Sequence, residues 1–226
     1  MAKVKGPKLW LFLRRTMGQF YLKLAGFKVV GEVPDVDKHI TLAVPHTTNW
    51  DMPHMLFYCF ATEQEISFMM KASVFRPPFG RLFRALGGIP IDRSKKNNMV
   101  DQVAEQFAKH ETLNVVIPPS GTRRRGDYWR TGFYYIALAA KVPIICGFLD
   151  WGHKEVGYGR VIIPSGDIEA DFELIREFYE SRGVKGKFPE KQSTIKPRPA
   201  NSKSIMTDTD PNIKLEDQPI TEELKN

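Results

Sequence analysis

Between residue 39 and about residue 182 the chain alternates between short apolar runs and segments that are apolar at helical spacing, and that alternation limits the fold more than any other feature. Strands are expected at Ile40–Val44, Ile66–Met70, Gly88–Ile91, Leu113–Ile117 and Pro143–Phe148. Helices are expected at Met52–Ala61, Gly80–Leu86, Asn98–His110, Thr131–Lys141 and Ile168–Ser181. A strand–helix repeat of this kind predicts an α/β fold: a mostly parallel sheet flanked by helices, with an N-terminal amphipathic helix and a disordered C-terminal tail. Trp151–Ile163 is expected to be an extended hairpin turning at Gly157 or Gly159.

Three regions are expected: an amphipathic membrane-contact segment over 1–30, an α/β domain over 31–183 and a tail over 184–226. The tail carries Lys, Asp, Glu, Ser, Thr and spaced prolines, with almost no aromatics beyond Phe188. Such a composition buries too little surface to offset the entropy of ordering. In the first segment Trp10, Leu13, Met17, Phe20 and Leu24 fall on one helical face, widened by Leu9 and Tyr21. Lys3, Lys5, Lys8, Arg14, Arg15 and Lys23 add positive charge, and no acidic residue precedes Glu32. That pattern suits an anionic bilayer surface; the plain alternative is a helix that packs on the domain.

A chain of 226 residues with 42% hydrophobic and 26% charged residues builds one sizeable core. Its net charge of +7 points to an anionic partner: nucleic acid, a membrane surface or a phosphorylated substrate. Nucleic acid is disfavoured, because the aromatics fall in core-like or amphipathic patterns and not among exposed basic residues. Cys59 and Cys146 lie in apolar segments, form no disulfide framework and suit a reducing compartment. Charges interrupt every apolar run well short of the ~20 residues a spanning helix needs. The run Leu9–Leu13 ends at Arg14-Arg15 without a small-residue cleavage site, so no signal peptide is expected. The expected location is the cytoplasmic face of a membrane, as a peripheral protein.

The chemistry concentrates at strand ends, where reacting groups gather in open α/β sheets. His46 follows the run Ile40–Val44, and Asp51 falls in the first turn of the next helix. A carboxylate bonded to one ring nitrogen leaves the other free to act as general base. The plain alternative for Asn49 or Asp51 is a helix N-cap. A second block, Gly87-Gly88-Ile89-Pro90-Ile91-Asp92-Arg93, offers an arginine that forks onto a phosphate or pairs with Asp92. A third, Pro118-Pro119-Ser120-Gly121-Thr122-Arg123-Arg124-Arg125, offers a glycine turn, a hydroxyl and three arginines, the makings of an anion site or of a solvated basic loop. The fourth, Val142-Pro143-Ile144-Ile145-Cys146, reads alone as a buried strand.

In this order and spacing the blocks resemble those of the glycerolipid acyltransferase family, which includes the 1-acylglycerol-3-phosphate acyltransferases. His46–Asp51 is similar to the H-x4-D block, Gly87–Arg93 to G-x-I-x-I-D-R, Pro119–Arg123 to P-E-G-T-R, and Val142–Cys146 to V-P-I-I-P. Lys71–Gly80, with its Phe-Arg-Pro-Pro-Phe-Gly, looks like the family's link between the first two blocks. The likeness covers roughly residues 38 to 182. It implies that His46 deprotonates a lysolipid hydroxyl while Asp51 holds its imidazole. The oxygen then attacks the thioester of acyl-CoA or acyl-carrier protein directly, in phospholipid biosynthesis. Arg93 and Arg123 would bind the acceptor's phosphate, Ser120, Gly121 and Thr122 would shape the pocket, and Lys71 would add to the anion site. No metal and no cofactor is implied.

The chain departs from the family at Ser120, where Glu is usual, and more mildly at Pro45, Pro90 and Cys146. A lost carboxylate beside the arginines bears on acceptor choice and suggests a lysolipid other than lysophosphatidate. Two other readings remain: a thioesterase or lipase-like hydrolase using Ser120 with His46, and a non-catalytic lipid-binding module, which would not need both His46 and Asp51.

Overall fold

The computed structural model describes residues 6–91 and 99–199. Arg93 and the tail from residue 200 lie outside the described residues. One seven-stranded sheet organises the chain, in the order β1-β7-β6-β2-β5-β3-β4. Its strands are β1 (Lys28–Val30), β2 (Lys38–Val44), β3 (Ser67–Lys71), β4 (Gly88–Ile91), β5 (Leu113–Ile117), β6 (Ile144–Asp150) and β7 (Glu155–Ile162). Strands β2 to β6 run parallel to one another, while β7 is antiparallel to β6 and parallel to β1.

Helices cover both faces of the sheet. They are α1 (Lys8–Leu24), α2 (Asp51–Ala61), α3 (Gly80–Ala85), α4 (Met99–Lys109), α5 (Gly132–Ala140) and α6 (Ile168–Arg182). The period-2 side-chain alternation of the strands divides the core in two. Val115, Ile117, Ile144 and Cys146 pack with Val103 of α4, Ile136 of α5 and Ile175 of α6. Their neighbours Val116, Ile145 and Leu149 point the other way, toward Leu22 of α1 and Tyr58 and Cys59 of α2. β5 and β6 are covered on both faces and buried at every residue, so they are almost wholly apolar; the exceptions are Asn114, which bonds Thr41 and Tyr158, and Asp150 at the end of β6.

Two expectations need correction. The hairpin is β6–β7 and turns at 151–154, not at Gly157 or Gly159. Both glycines lie inside β7, where a Cβ on Gly157 would strike the Val30 carbonyl and one on Gly159 the Phe178 ring. They permit close packing and not a turn. Residues 184–199, assigned to a disordered tail, are folded. Val184 and Gly186 are buried, Pro189–Lys191 forms a 3₁₀ turn, and Trp129 bridges to Pro197.

Crossovers place the site. The chain leaves β2 for strands on one side of it, returns to β5 beside it, and then crosses through α5 to β6 on its other side. The strand order reverses at β2, and the crevice beyond the carboxyl end of such a strand is where α/β sheets bind ligands.

His39, near the start of β2, is 3% exposed; its Nδ1 lies 3.2 Å from the Val36 carbonyl and its buried Nε2 has no partner. Burial pushes its pKa down to about 4. The unfolded chain protonates this histidine near its ordinary value, whereas the folded chain keeps it neutral. Its contribution is therefore complete above pH 6.5 and is lost as pH falls toward 4. The loss amounts to about 3 kcal/mol. Urea unfolding of the wild type and of His39→Gln should show a stability gap that narrows or reverses between pH 7 and pH 4.5. An unchanged gap would remove His39 as the cause.

Candidate active site

β2 ends at Val44, and Pro45 and His46 carry the chain over the sheet edge to Asp51, the first residue of α2. Asp51 is not a helix cap. Its Oδ2 reaches back to accept the amides of Thr47 and Thr48, each at 2.9 Å, and its Oδ1 accepts the indole N–H of Trp151 at 3.0 Å. Three donors in a buried position fix this carboxylate, and the N-terminal end of α2 favours its charge. His46 Nδ1 lies 3.6 Å from Asp51 Oδ2, and the ring is partly open, with 22% of its side chain exposed. That separation is longer than a hydrogen bond, within the looseness seen at catalytic pairs before substrate arrives. Nε2, across the ring from Asp51, is left for a substrate hydroxyl.

Two cavities meet at His46 and share the Ala43–His46 wall. One, of about 440 Å³, runs past Ser120 and is walled by Lys185, Lys191 and Gln192 of the C-terminal segment. The other, of about 230 Å³, lies between α2 and the sheet and is lined by apolar groups such as Met52, Met55, Phe68, Val116 and Phe148. A base where an almost wholly apolar chamber meets one that also carries lysine and serine side chains suits a substrate with an apolar and a polar part.

Ser120 shares the larger cavity with His46, but its hydroxyl donates to the Thr122 carbonyl at 2.9 Å, and no hydrogen bond joins it to His46. Gly121, at φ +63°, holds a tight turn against which the Arg130 side chain lies. Gly121, Thr122 and Arg123 are exposed and line neither cavity. Lys71 ends β3 on the same sheet edge, exposed and likewise away from both walls.

His54, one turn beyond Asp51, is a structural group. Burial lowers its pKa, its Nδ1 lies 2.8 Å from the Trp50 carbonyl, and its ring packs against Phe27 and Trp151.

The sequence reading missed Trp151 and the segment after Gly183. Trp151 follows β6, the neighbour of β2, so any residue there comes to the His46 edge. Placing the hairpin turn correctly would have revealed it. Residues 184–199 have only Val184, Phe188 and Ile195 as large apolar residues, with no period to detect.

A sequence profile of the Acyltransferase family matches residues 27–147. The 1-acyl-sn-glycerol-3-phosphate acyltransferase of Haemophilus influenzae is 29% identical over 167 residues, covering 70% of this chain and 68% of its own length. The Escherichia coli enzyme of the same name is 35% identical over 81 residues, 33% of each chain. The crystal structure of the 1-acyl-sn-glycerophosphate (LPA) acyltransferase PlsC from Thermotoga maritima superposes with a TM-score of 0.53 at 17% identity, covering 78% of this chain and 81% of that one, and shares the fold. The profile spans more than half of the 226 residues, and the protein is an O-acyltransferase of the glycerolipid acyltransferase family.

Proposed function

We propose that the protein moves a fatty acyl group from acyl-CoA or acyl-carrier protein to the free hydroxyl of a 1-acylglycerol-3-phosphate-type lysophospholipid, at a membrane surface, in phospholipid biosynthesis. The observation that carries this reading is the His46–Asp51 pair where an almost wholly apolar cavity meets one that also carries Ser120, Lys185 and Lys191.

The apolar chamber takes an acyl chain, and the lysine-bearing one takes the glycerol phosphate. His46 Nε2 accepts the hydroxyl proton as the oxygen forms its bond to the thioester carbonyl carbon. Asp51 stabilises the imidazolium that results. Collapse of the tetrahedral intermediate breaks the carbon–sulfur bond, and the departing sulfur takes the proton back from His46. The acyl group never rests on the protein. The hydroxyl of Ser120, occupied by Thr122, is not needed as a nucleophile. A hydrolase or a lipid-binding module finds no comparable support.

The membrane reading rests on α1. Gly18 and Leu22 face inward, and the helix packs on α2. Leu9, Phe12, Phe20 and Leu24 are 63–78% exposed, and Trp10, Leu13 and Met17 are also open. So large an apolar face left open on one helix by the other described residues marks an interaction surface. Packing on the domain and binding a bilayer are therefore not alternatives. Arg14 turns inward, over the Phe60 ring and onto the Gln64 carbonyl, and Arg15 pairs with Glu63 at 3.6 Å, so Lys8 and Lys23 carry most of the outward charge of this helix. Trp50 and Met52, at the start of α2, are exposed beside the site. Among the described residues no helix is long and apolar enough to cross a membrane.

Deleting α1 would remove the core residue Leu22, so substitution is the better test. A Leu13→Glu/Phe20→Glu protein should lose flotation with anionic vesicles and most transfer to vesicle-borne lysolipid. It should keep turnover of a short-chain, water-soluble acceptor. Unchanged flotation would contradict membrane docking through α1. Absence of transfer to every lysolipid offered to the wild type would contradict the proposed reaction.

A further inference from the structure

We infer that residues 184–197 form a strap that builds an anion subsite into the active site, in which Lys185 and Lys191 bind a substrate phosphate in the cavity that His46 also lines. This rests on the acyltransferase reading and adds a subsite that the family's blocks do not contain, since the strap lies beyond the matched residues 27–147.

The strap is fastened at both ends of the site. Lys185 N–H donates to Asp150 Oδ1 at 3.2 Å, and the Trp151 amide donates back to the Lys185 carbonyl at 2.8 Å. Burial alone would push the Asp150 carboxyl up, but donors from His153, Lys185 and Gly152 hold it below its ordinary value, as an ionised anchor. The Phe188 amide points to Thr47 Oγ1, at 3.4 Å, on the residue next to His46. On the other side, Gly126 N–H donates to Ser193 Oγ at 3.0 Å, Thr194 N–H to the Gly126 carbonyl at 3.1 Å, and Trp129 N–H to the Lys196 carbonyl at 2.9 Å. Gln192 pins the bend between them, accepting from Gly186 N–H at 2.8 Å and donating to the Val184 carbonyl at 3.2 Å. The strap thus ties the His46 loop to the Ser120 loop, and backbone held at so many points gives its side chains a fixed platform.

Charge gives the platform its chemistry. The 440 Å³ cavity is lined by Lys185 and Lys191 against one carboxylate, Glu180. Lys191 Nζ sits 4.2 Å from the centre of the Phe188 ring, which restrains the ammonium without neutralising it. Arg123, the arginine expected to hold phosphate, does not line this cavity. Ser120, standing where the family's resemblance calls for Glu, leaves the wall one negative charge poorer. Ammonium groups on one concave wall attract a phosphate as point charges. The phosphate is the acceptor's own or one on the acyl donor.

The test is steady-state kinetics of the full chain carrying Lys185→Ala/Lys191→Ala, with Lys185→Arg/Lys191→Arg as the charge-keeping control. Acceptors are 1-acylglycerol-3-phosphate and monoacylglycerol; donors are acyl-CoA and an acyl thioester of N-acetylcysteamine, which has no phosphate. The alanine pair should raise KM about ten-fold for a phosphate-bearing substrate relative to its phosphate-free counterpart, and the arginine pair should restore it. A selective effect on the acceptor arm assigns the phosphate to the lysolipid, and one on the donor arm to the coenzyme. Equal effects on phosphate-bearing and phosphate-free substrates, or none at all, would overturn the subsite. If the wild type transfers to no acceptor, the acyltransferase reading fails separately. The subsite is then judged by titration with glycerol 3-phosphate and with coenzyme A, and the alanine pair must abolish binding of whichever the wild type takes up; binding that persists in it, or binding of neither to the wild type, would overturn the subsite.

Discussion

His46→Ala should lower transfer by about 10²–10⁴-fold while leaving the fold intact, the loss expected when a general base is removed. The lysolipid hydroxyl is a poor nucleophile until its proton has somewhere to go, and His46 is the one histidine that lines the cavities. His39 is buried near the far end of β2, His54 is packed under Trp151, and His153 is engaged by Asp150 at 2.6 Å. None can substitute. Because the His46 ring is partly solvent-exposed, its truncation leaves no unpaired buried group, and the melting temperature should barely move. The check is kcat/KM for the transfer reaction in a variant shown to be folded by circular dichroism. Near-wild-type turnover would require a different base.

Asp51→Asn should cost up to about 10⁴-fold in kcat, as when the carboxylate behind a catalytic histidine is replaced by its amide. In this fold the change also disturbs local structure. Asp51 Oδ2 collects two backbone amides, and an asparagine that turns its NH₂ toward them loses both. Trp151→Phe separates the two effects. It removes the indole N–H at Oδ1 and trims the ring that packs on Phe27 and His54, but leaves the His46-facing oxygen and its amides in place. A hydrogen bond to a charged group is worth roughly 1.5–3 kcal/mol, so a fall of about ten-fold in kcat with little change in acceptor KM is expected. A rise in KM with kcat preserved would show that Trp151 contacts substrate and does not position Asp51.

Much of this architecture is visible in the sequence because central strands are covered on both faces and are therefore mostly apolar. Limits of β4 and β5 read from the apolar runs coincide with those observed, and α2 begins at Asp51, one residue before the expected Met52. His46 and Asp51 stand out for a related reason: a polar pair straight after such a strand has no core to join. What escaped detection obeys no period. β1 has three residues, too few for an alternation to register. Gly157 and Gly159 mimic a turn because close approach and turning demand the same residue. The strap is polar because it gains its order from backbone hydrogen bonds to Asp150, Thr47 and Gly126, which composition does not reveal. Trp151 came into play only when the β6–β7 turn brought its indole onto Asp51 across a sequence separation of 100 residues.

The most direct test of the central claim is to follow both products in one reaction. Purified protein is given acyl-CoA or acyl-carrier protein with 1-acylglycerol-3-phosphate on vesicles, and thiol release and diacyl product are counted together. Direct transfer by the His46–Asp51 pair predicts one diacyl lipid for each thiol, no thiol without acceptor, no acyl group retained on the protein, and loss of both products in His46→Ala. Thiol released without acceptor, or an acyl group trapped on Ser120, would contradict it.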